Sequence, residues 1–376
     1  EIDEKLEDNY SKNYNQILKL IEEKSVENAL MIYQFIYALL NQVIILPITA
    51  DSQETALTIF STLNDRGLPL SDADIFKAKI YNHLKNKVEK EEFIEKWKEL
   101  EEDTQNISES IQQLFYYYMF YLRALENDRN STTPGLRKYY SANKFKKLLE
   151  TDILDNLRKI LNIWEVIANP KVSIENESWS ENRDILKVLN ILTSYPNEFW
   201  KYPTIIYYLT YRKKSNFTTN FLIFLRKLCV DLLKKFIEKP ARDAISVGVL
   251  KLDVDIRKSD RPNFNFKIAL SDDELFEKIK TPHKKIEVML LKILAYNSQN
   301  DLLPEKIEIE HILPKKWQEE YTLEEDEEIV LEKIEHLGNK LPIEKKLNIK
   351  ASNDYFSKKK EKYKDSKIQI VKNMGN

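Results

Sequence analysis

Hydrophobic positions recur at helical spacing through most of the chain. Tyr14, Ile17, Leu18 and Ile21, then Ala29, Ile32, Phe35, Ile36 and Leu39, fall on helix faces between residues 10 and 41. The run from Val43 to Ile48 reads as a short strand. Asp51-Ser52 then caps a helix through Ala56, Ile59, Phe60 and Leu63. Asn64-Asp65-Arg66-Gly67 ends it, with Gly67 in the C′ position. Ser71-Asp72-Ala73-Asp74 caps the next helix, which carries Ile75, Ala78 and Leu84 on its apolar side. From about residue 88 to 240 the pattern stays helical and becomes rich in aromatic residues, as in Phe115–Phe120 and Tyr202–Tyr211. Breaks fall at 126–135, 171–183, Pro240 and 253–266. After a helix over 283–297 the period changes. Lys306-Ile307-Glu308-Ile309 alternates like a strand, Leu341-Pro342-Ile343 is a second, and a helix follows from about Ser352 to Lys364. The chain is thus expected to be mainly α. Residues 1–87 and the middle region 88–280 should be helical, with a strand–loop–strand–helix segment within 281–376.

Composition narrows the function classes. The 376 residues suit two or three domains, and 42% hydrophobic content supplies their cores. The five glycines stand far apart, at 67, 135, 248, 338 and 375, so a P-loop or dinucleotide fingerprint is absent. The single cysteine, Cys229, lies in an apolar run and reads as a buried thiol; it excludes a disulfide framework and a cysteine zinc site within one chain. Residues 28–50 carry no charge, but Gln34, Asn41, Gln42 and Pro47 interrupt them. They read as a buried helix followed by a strand, not a membrane span. A reducing, cytoplasmic setting and no membrane partner are expected. The 59 Lys and Arg nearly balance the 61 Asp and Glu, so a polyanion must be met by a local patch. Residues 340–364 provide one, with nine Lys against three acids, whereas residues 319–335 hold nine acids and one Lys. That acidic insertion reads as a solvated loop or as a fence around a site.

The residue types in 310–348 fit one chemistry. A carboxylate next to a histidine at a strand end, Glu310-His311, offers a cation ligand and a general base. The amide oxygen of Asn348 suits a hard ion such as Mg²⁺. Asn339, nine residues earlier, can pin the loop and orient the histidine. Taken alone, Glu310-His311 is equally a strand-end pair without function. His336 and His311 lack the further ligands that zinc needs. His83 and His283 read as surface or cap residues, and the aromatic runs as core or, alternatively, as a platform for stacked bases.

Glu310-His311, Asn339 and Asn348, in that order on strand, loop, strand and helix, resemble the ββα-metal, or HNH, nuclease motif. Phe356–Ser366 is similar to the tail of the HNH domain in GmrSD-type restriction endonucleases. Ile59–Ser71 is similar to a signature late in the ParB-like N-terminal domain of the same family. The resemblance implies a C-terminal HNH nuclease domain behind a shortened ParB-like domain that lacks the Asp-Gly-Gln-Gln-Arg string of nucleotide hydrolysis. By this resemblance His311 is the base, Glu310 and Asn348 hold Mg²⁺ or Mn²⁺, Asn339 orients the loop, and Lys359 assists catalysis. Lys358, Lys359, Lys360 and Tyr363 would contact nucleic acid, and Arg66 would anchor a salt bridge or touch nucleotide or DNA. The implied function is a metal-dependent endonuclease of an anti-phage, modification-dependent restriction system. Its implied partners are double-stranded and modified phage DNA, the missing nucleotide-binding part of the same protein, and a second copy. A sensing module with an idle nuclease site, and an RNase or toxin, are the rival readings.

Overall fold

The computed structural model describes residues 7–27, 29–44, 71–130, 132–149, 152–317 and 326–376, with single positions at 49, 55 and 59. The chain divides into the units Glu1–Leu70 and Ser71–Asn376. In the first, helix α1 (Glu7–Glu27) packs on α2 (Ala29–Asn41). The expectation that the uncharged stretch is a buried helix fails for its side chains: Tyr33 is 74% and Leu40 75% exposed. A helix apolar on every face buries only what the fold covers. Val43 and Ile44 have no regular structure. The rest of the expected strand, the cap at Asp51, the turn at Asn64–Gly67 with Arg66, and nearly all of the Ile59–Ser71 signature lie outside the described residues. No helix among the described residues is long and apolar enough to cross a membrane.

The second unit begins as the sequence indicates. Ser71 caps α3 (Asp72–His83) in a reciprocal box with Asp74, although the fully buried residues are Phe76 and Ile80. Then follow α4 (Lys87–Asn106), α5 (Ile111–Leu125), α6 (Leu136–Phe145), α7 (Ile153–Ala168), α8 (Arg183–Leu192), α9 (Lys201–Tyr211), α10 (Phe217–Glu238), α11 (Arg242–Ile256) and α12 (Asp272–Lys280). Their shared core takes in the aromatic runs. Phe115, Tyr117, Tyr118 and Phe120 of α5 and Tyr202, Tyr207 and Tyr208 of α9 are all buried, and Phe120 stacks on Tyr202 at 3.8 Å. Buried hydroxyls find acceptors, as Tyr140 does on the Phe115 carbonyl (2.9 Å) and Tyr207 on that of Asp260 (2.9 Å). These rings are core, and none is open to a base. Cys229 is buried, and burial pushes its thiol up to about 12.

Helix α13 (Lys284–Tyr296), capped by His283, serves two cores. Its Ile286, Met289 and Leu290 belong to the large helical one. Its Ala295 joins Leu303, Leu341, Ile343, Leu347, Tyr363, Ile368 and Val371 in a smaller one. That second core supports β1 (Ile307–His311), β2 (Lys340–Glu344), α15 (Lys345–Ala351), α16 (Phe356–Tyr363) and α17 (Gln369–Gly375), while α14 (Glu327–Glu335), between the strands, packs its Val330 and Ile334 on Trp317 in a third cluster. The strands form the one sheet among the described residues, antiparallel, with Glu310 opposite Leu341 and His311 opposite Lys340. The helix expected from Ser352 starts earlier and is broken. Strand β2 runs directly into α15, whose Leu347 and Ala351, four apart, are buried. Ser352 ends α15 at φ 47°, ψ −145°, and α16 begins at Phe356.

Candidate active site

Strand β1 ends at the Glu310-His311 pair. Glu308 and Glu310, two residues apart, share one face of the strand. Past His311 the ladder continues for one bond, Ile312 N–H donating to the Asn339 carbonyl (2.9 Å). The Asn339 side chain pins the loop that follows. Its Oδ1 accepts from Leu313 N–H (2.8 Å), and its Nδ2 donates to the carbonyls of Leu313 and Ile334 (both 3.0 Å). Trp317 packs with Val330 and Ile334 of α14, so both ends of the segment Leu313–Trp317 are held.

Glu310, His311, Asn348 and Lys359 line one cleft of about 370 Å³, together with Ile309, Pro314, Lys315, Lys316, Ser352 and Asn353. Four of the residues singled out from sequence (Glu310, His311, Asn348 and Lys359) therefore meet, while Asn339 stands behind them and braces the wall. The Asn348 amide donates to Glu308 Oε2 (2.8 Å), which fixes the amide plane. Among the described residues the His311 Nε2 is buried and has no hydrogen-bond partner. Burial is the main cause that holds the imidazole down at about 4, with Lys315, Lys340 and Lys359 adding to it and Glu335 opposing. The ring is neutral at pH 7.

The basic residues need correction. Lys359 and Tyr363, expected at the nucleic acid, are 1% and 0% exposed. Four residues apart on α16, they point inward at the Glu310 carboxylate. Lys359 Nζ donates to Glu310 Oε1 and to the His311 carbonyl (2.7 Å each), and Tyr363 Oη donates to the same Oε1 (2.7 Å). A buried carboxylate demands such partners, and that demand sets which face of α16 turns in. Lys358 is exposed and lies 3.6 Å from Asp354; neither it nor Lys360 lines the cleft.

Sequence reasoning missed several residues. Glu308 was legible as the i−2 neighbour of Glu310. Ser352 and Asn353 are brought in by the break between α15 and α16, a non-glycine residue at positive φ that no sequence pattern announces. An ion chain that runs from the interior to the surface was also missed. Lys340 Nζ bonds Glu287 Oε1 (2.7 Å) and Glu335 Oε2 (2.8 Å), and Lys315 Nζ reaches Glu335 Oε1 (3.0 Å). These lysines hold the Glu335 carboxyl down at about 2. Helix α14 of the acidic insertion is thereby tied to the cleft wall; residues 318–325 lie outside the described residues.

The donor chemistry suits a light divalent cation better than zinc. Among the described residues no three His, Cys, Asp or Glu side chains cluster as metal ligands. The cleft offers a carboxylate, Glu310, and an amide oxygen, Asn348, whose nitrogen is already engaged. Two hard oxygen donors fit an ion that keeps most of its water.

Residues 266–376 match the family model described as GmrSD restriction endonucleases, C-terminal domain, and residues 1–81 match that for the N-terminal domain. No curated protein and no solved structure matches the chain.

Proposed function

The chain belongs to the GmrSD restriction endonucleases, and from that premise we propose that it cuts DNA by an HNH-type, metal-dependent hydrolysis centred on His311. The family makes it a nuclease of a restriction system with DNA as substrate. The observation that supports the finer reading is the shared cleft: a neutral imidazole lines it together with a carboxylate and an amide oxygen.

In this reading His311 accepts the proton of the attacking water, the role a neutral imidazole fills at pH 7. Asn339 keeps the strand exit and the Leu313 loop in place, so the ring keeps its aim. Lys359 and Tyr363 engage one oxygen of Glu310 and leave the other to face a ligand. Glu308 does the same for Asn348 by taking its N–H, which leaves the amide oxygen as donor. A divalent cation held by Glu310 and Asn348 would supply charge compensation for the leaving 3′ oxygen. The reading includes modified phage DNA as the form attacked, and a cytoplasmic enzyme.

The test is cleavage of plain and of modified plasmid, with Mg²⁺, with Mn²⁺ and with EDTA. Cation-dependent cutting that His311→Ala abolishes, with unchanged circular dichroism, is expected. Equal cutting by that variant, or cutting in EDTA, would sink the mechanism.

A further inference from the structure

The cleft carries three lysines, and two of them are already engaged. Lys359 is buried on Glu310. Lys315 is exposed but paired with Glu335 at 3.0 Å. Lys316 is exposed, lines the same cleft, and makes no hydrogen bond or ion pair among the described residues. It is also held in place by its neighbours. Three residues upstream, Leu313 is bonded through both its N–H and its carbonyl to Asn339. One residue downstream, Trp317 is buried against Val330 and Ile334. Pro314, itself buried, stiffens the span between. The backbone that bears Lys316 is therefore fixed relative to His311, and its ammonium has no counter-charge among the described residues.

We propose that Lys316 is a substrate-positioning residue that takes a non-bridging phosphate oxygen of the DNA strand as it passes along the Pro314–Lys316 wall into the cleft. This rests on the nuclease reading above. The physical argument is placement without compensation. A charge on a pinned wall leaves only its own side chain to be ordered on binding, and each phosphate it neutralises releases condensed counterions. Lys315 cannot do this without giving up Glu335. Lys358 and Lys360, the choice that sequence alone suggested, do not line the cleft.

The experiment measures binding of a short DNA duplex to the full chain carrying His311→Ala, across a salt series, with Lys316→Ala, Lys316→Arg, Lys315→Ala or Lys358→Ala added. Cleavage by the same four variants with His311 intact gives kcat and KM separately. Lys316→Ala is expected to weaken binding several-fold and to lower the slope of log K against log salt by about one. Its KM should rise with kcat nearly kept, and Lys316→Arg should restore both. Lys315→Ala and Lys358→Ala should leave the slope unchanged. A Lys316→Ala variant with the parent's slope and KM, in a protein whose parent binds and cuts DNA, overturns this inference and leaves the nuclease reading standing. A parent that neither binds nor cuts overturns both. Lys316 is on the surface, so its replacement tests contact and not folding.

Discussion

Helices α3 to α12 bury mostly apolar side chains and rings, with Arg123 and Asp253 as buried ionisable groups, and the much shorter segment after α13 buries Glu310, Lys340 and Lys359. In the first region the core combines Leu, Ile and Val with Phe, Tyr and Trp rings in edge, tilted and stacked contacts, and Tyr140 and Tyr207 hydroxyls donate to carbonyls. In the second, a small core of nine buried residues sits beside Glu310, Lys340 and Lys359, each 4% exposed or less. Apolar packing returns stability roughly in proportion to area. Burying an ion pair returns little, because desolvation offsets most of the attraction. The contrast separates the part of the molecule that holds it together from the part arranged for chemistry.

That contrast can be broken most sharply at His311. Its replacement by Ala should lower the cleavage rate by about 10² to 10⁴, while the melting temperature stays within a degree or two; plasmid nicking beside a thermal melt checks both. Lys359→Met comes next. It strands Glu310 in the interior and should cost about 3–5 kcal/mol, read by urea unfolding, with the loss confined to the C-terminal segment in hydrogen exchange. Phe115→Ala should cost a similar ~3–5 kcal/mol, but with kcat retained below the lowered melting point. If Phe115→Ala removes activity at temperatures where the protein stays folded, the division of labour is wrong. Asn339→Ala should cost less, about 1–3 kcal/mol for the groups it leaves unpaired, and should slow cleavage through the loop. The last effect is one of pH. The folded His311 is depressed to about 4 from an ordinary value near 6.5, so the unfolded chain binds the extra proton between these values. Stability should therefore fall on acidification from about pH 6.5 to about pH 4, and His311→Gln should flatten that slope in melts taken across the window.

Much of the fold was legible because local rules and the global fold agree. Ser71 with Asp74 announces a helix start, and the aromatic runs at helical spacing are core. The alternation Ile307-Glu308-Ile309-Glu310 gives the strand, and its pairing brings Glu310 and His311 to a shared wall with Asn348. What sequence could not supply was direction. Nine lysines in twenty-five residues look like a surface for phosphate, yet Lys340 and Lys359 turn inward because buried carboxylates across the fold require cations. That demand arises from Glu287 and Glu310, 53 and 49 residues away in sequence. The helix start was misplaced for a related reason: a seven-residue helix has only two buried positions to show, and Ser352 breaks it through backbone geometry that its side chain does not signal. The uncharged α2 erred the other way, since hydrophobicity states a need for cover and not its presence.

Because α13 lends one flank to each core, the molecule has no seam along which its cutting end can be lifted away. An excised C-terminal piece starting at the sequence-derived boundary of residue 281 would carry Ile286, Met289 and Leu290 into water. It would also leave Lys292 without the Asn190 carbonyl it holds at 2.8 Å. Sticky, aggregating fragments are the expected reward for subcloning there, and a passive nuclease made that way would report on the scissors and not on the enzyme.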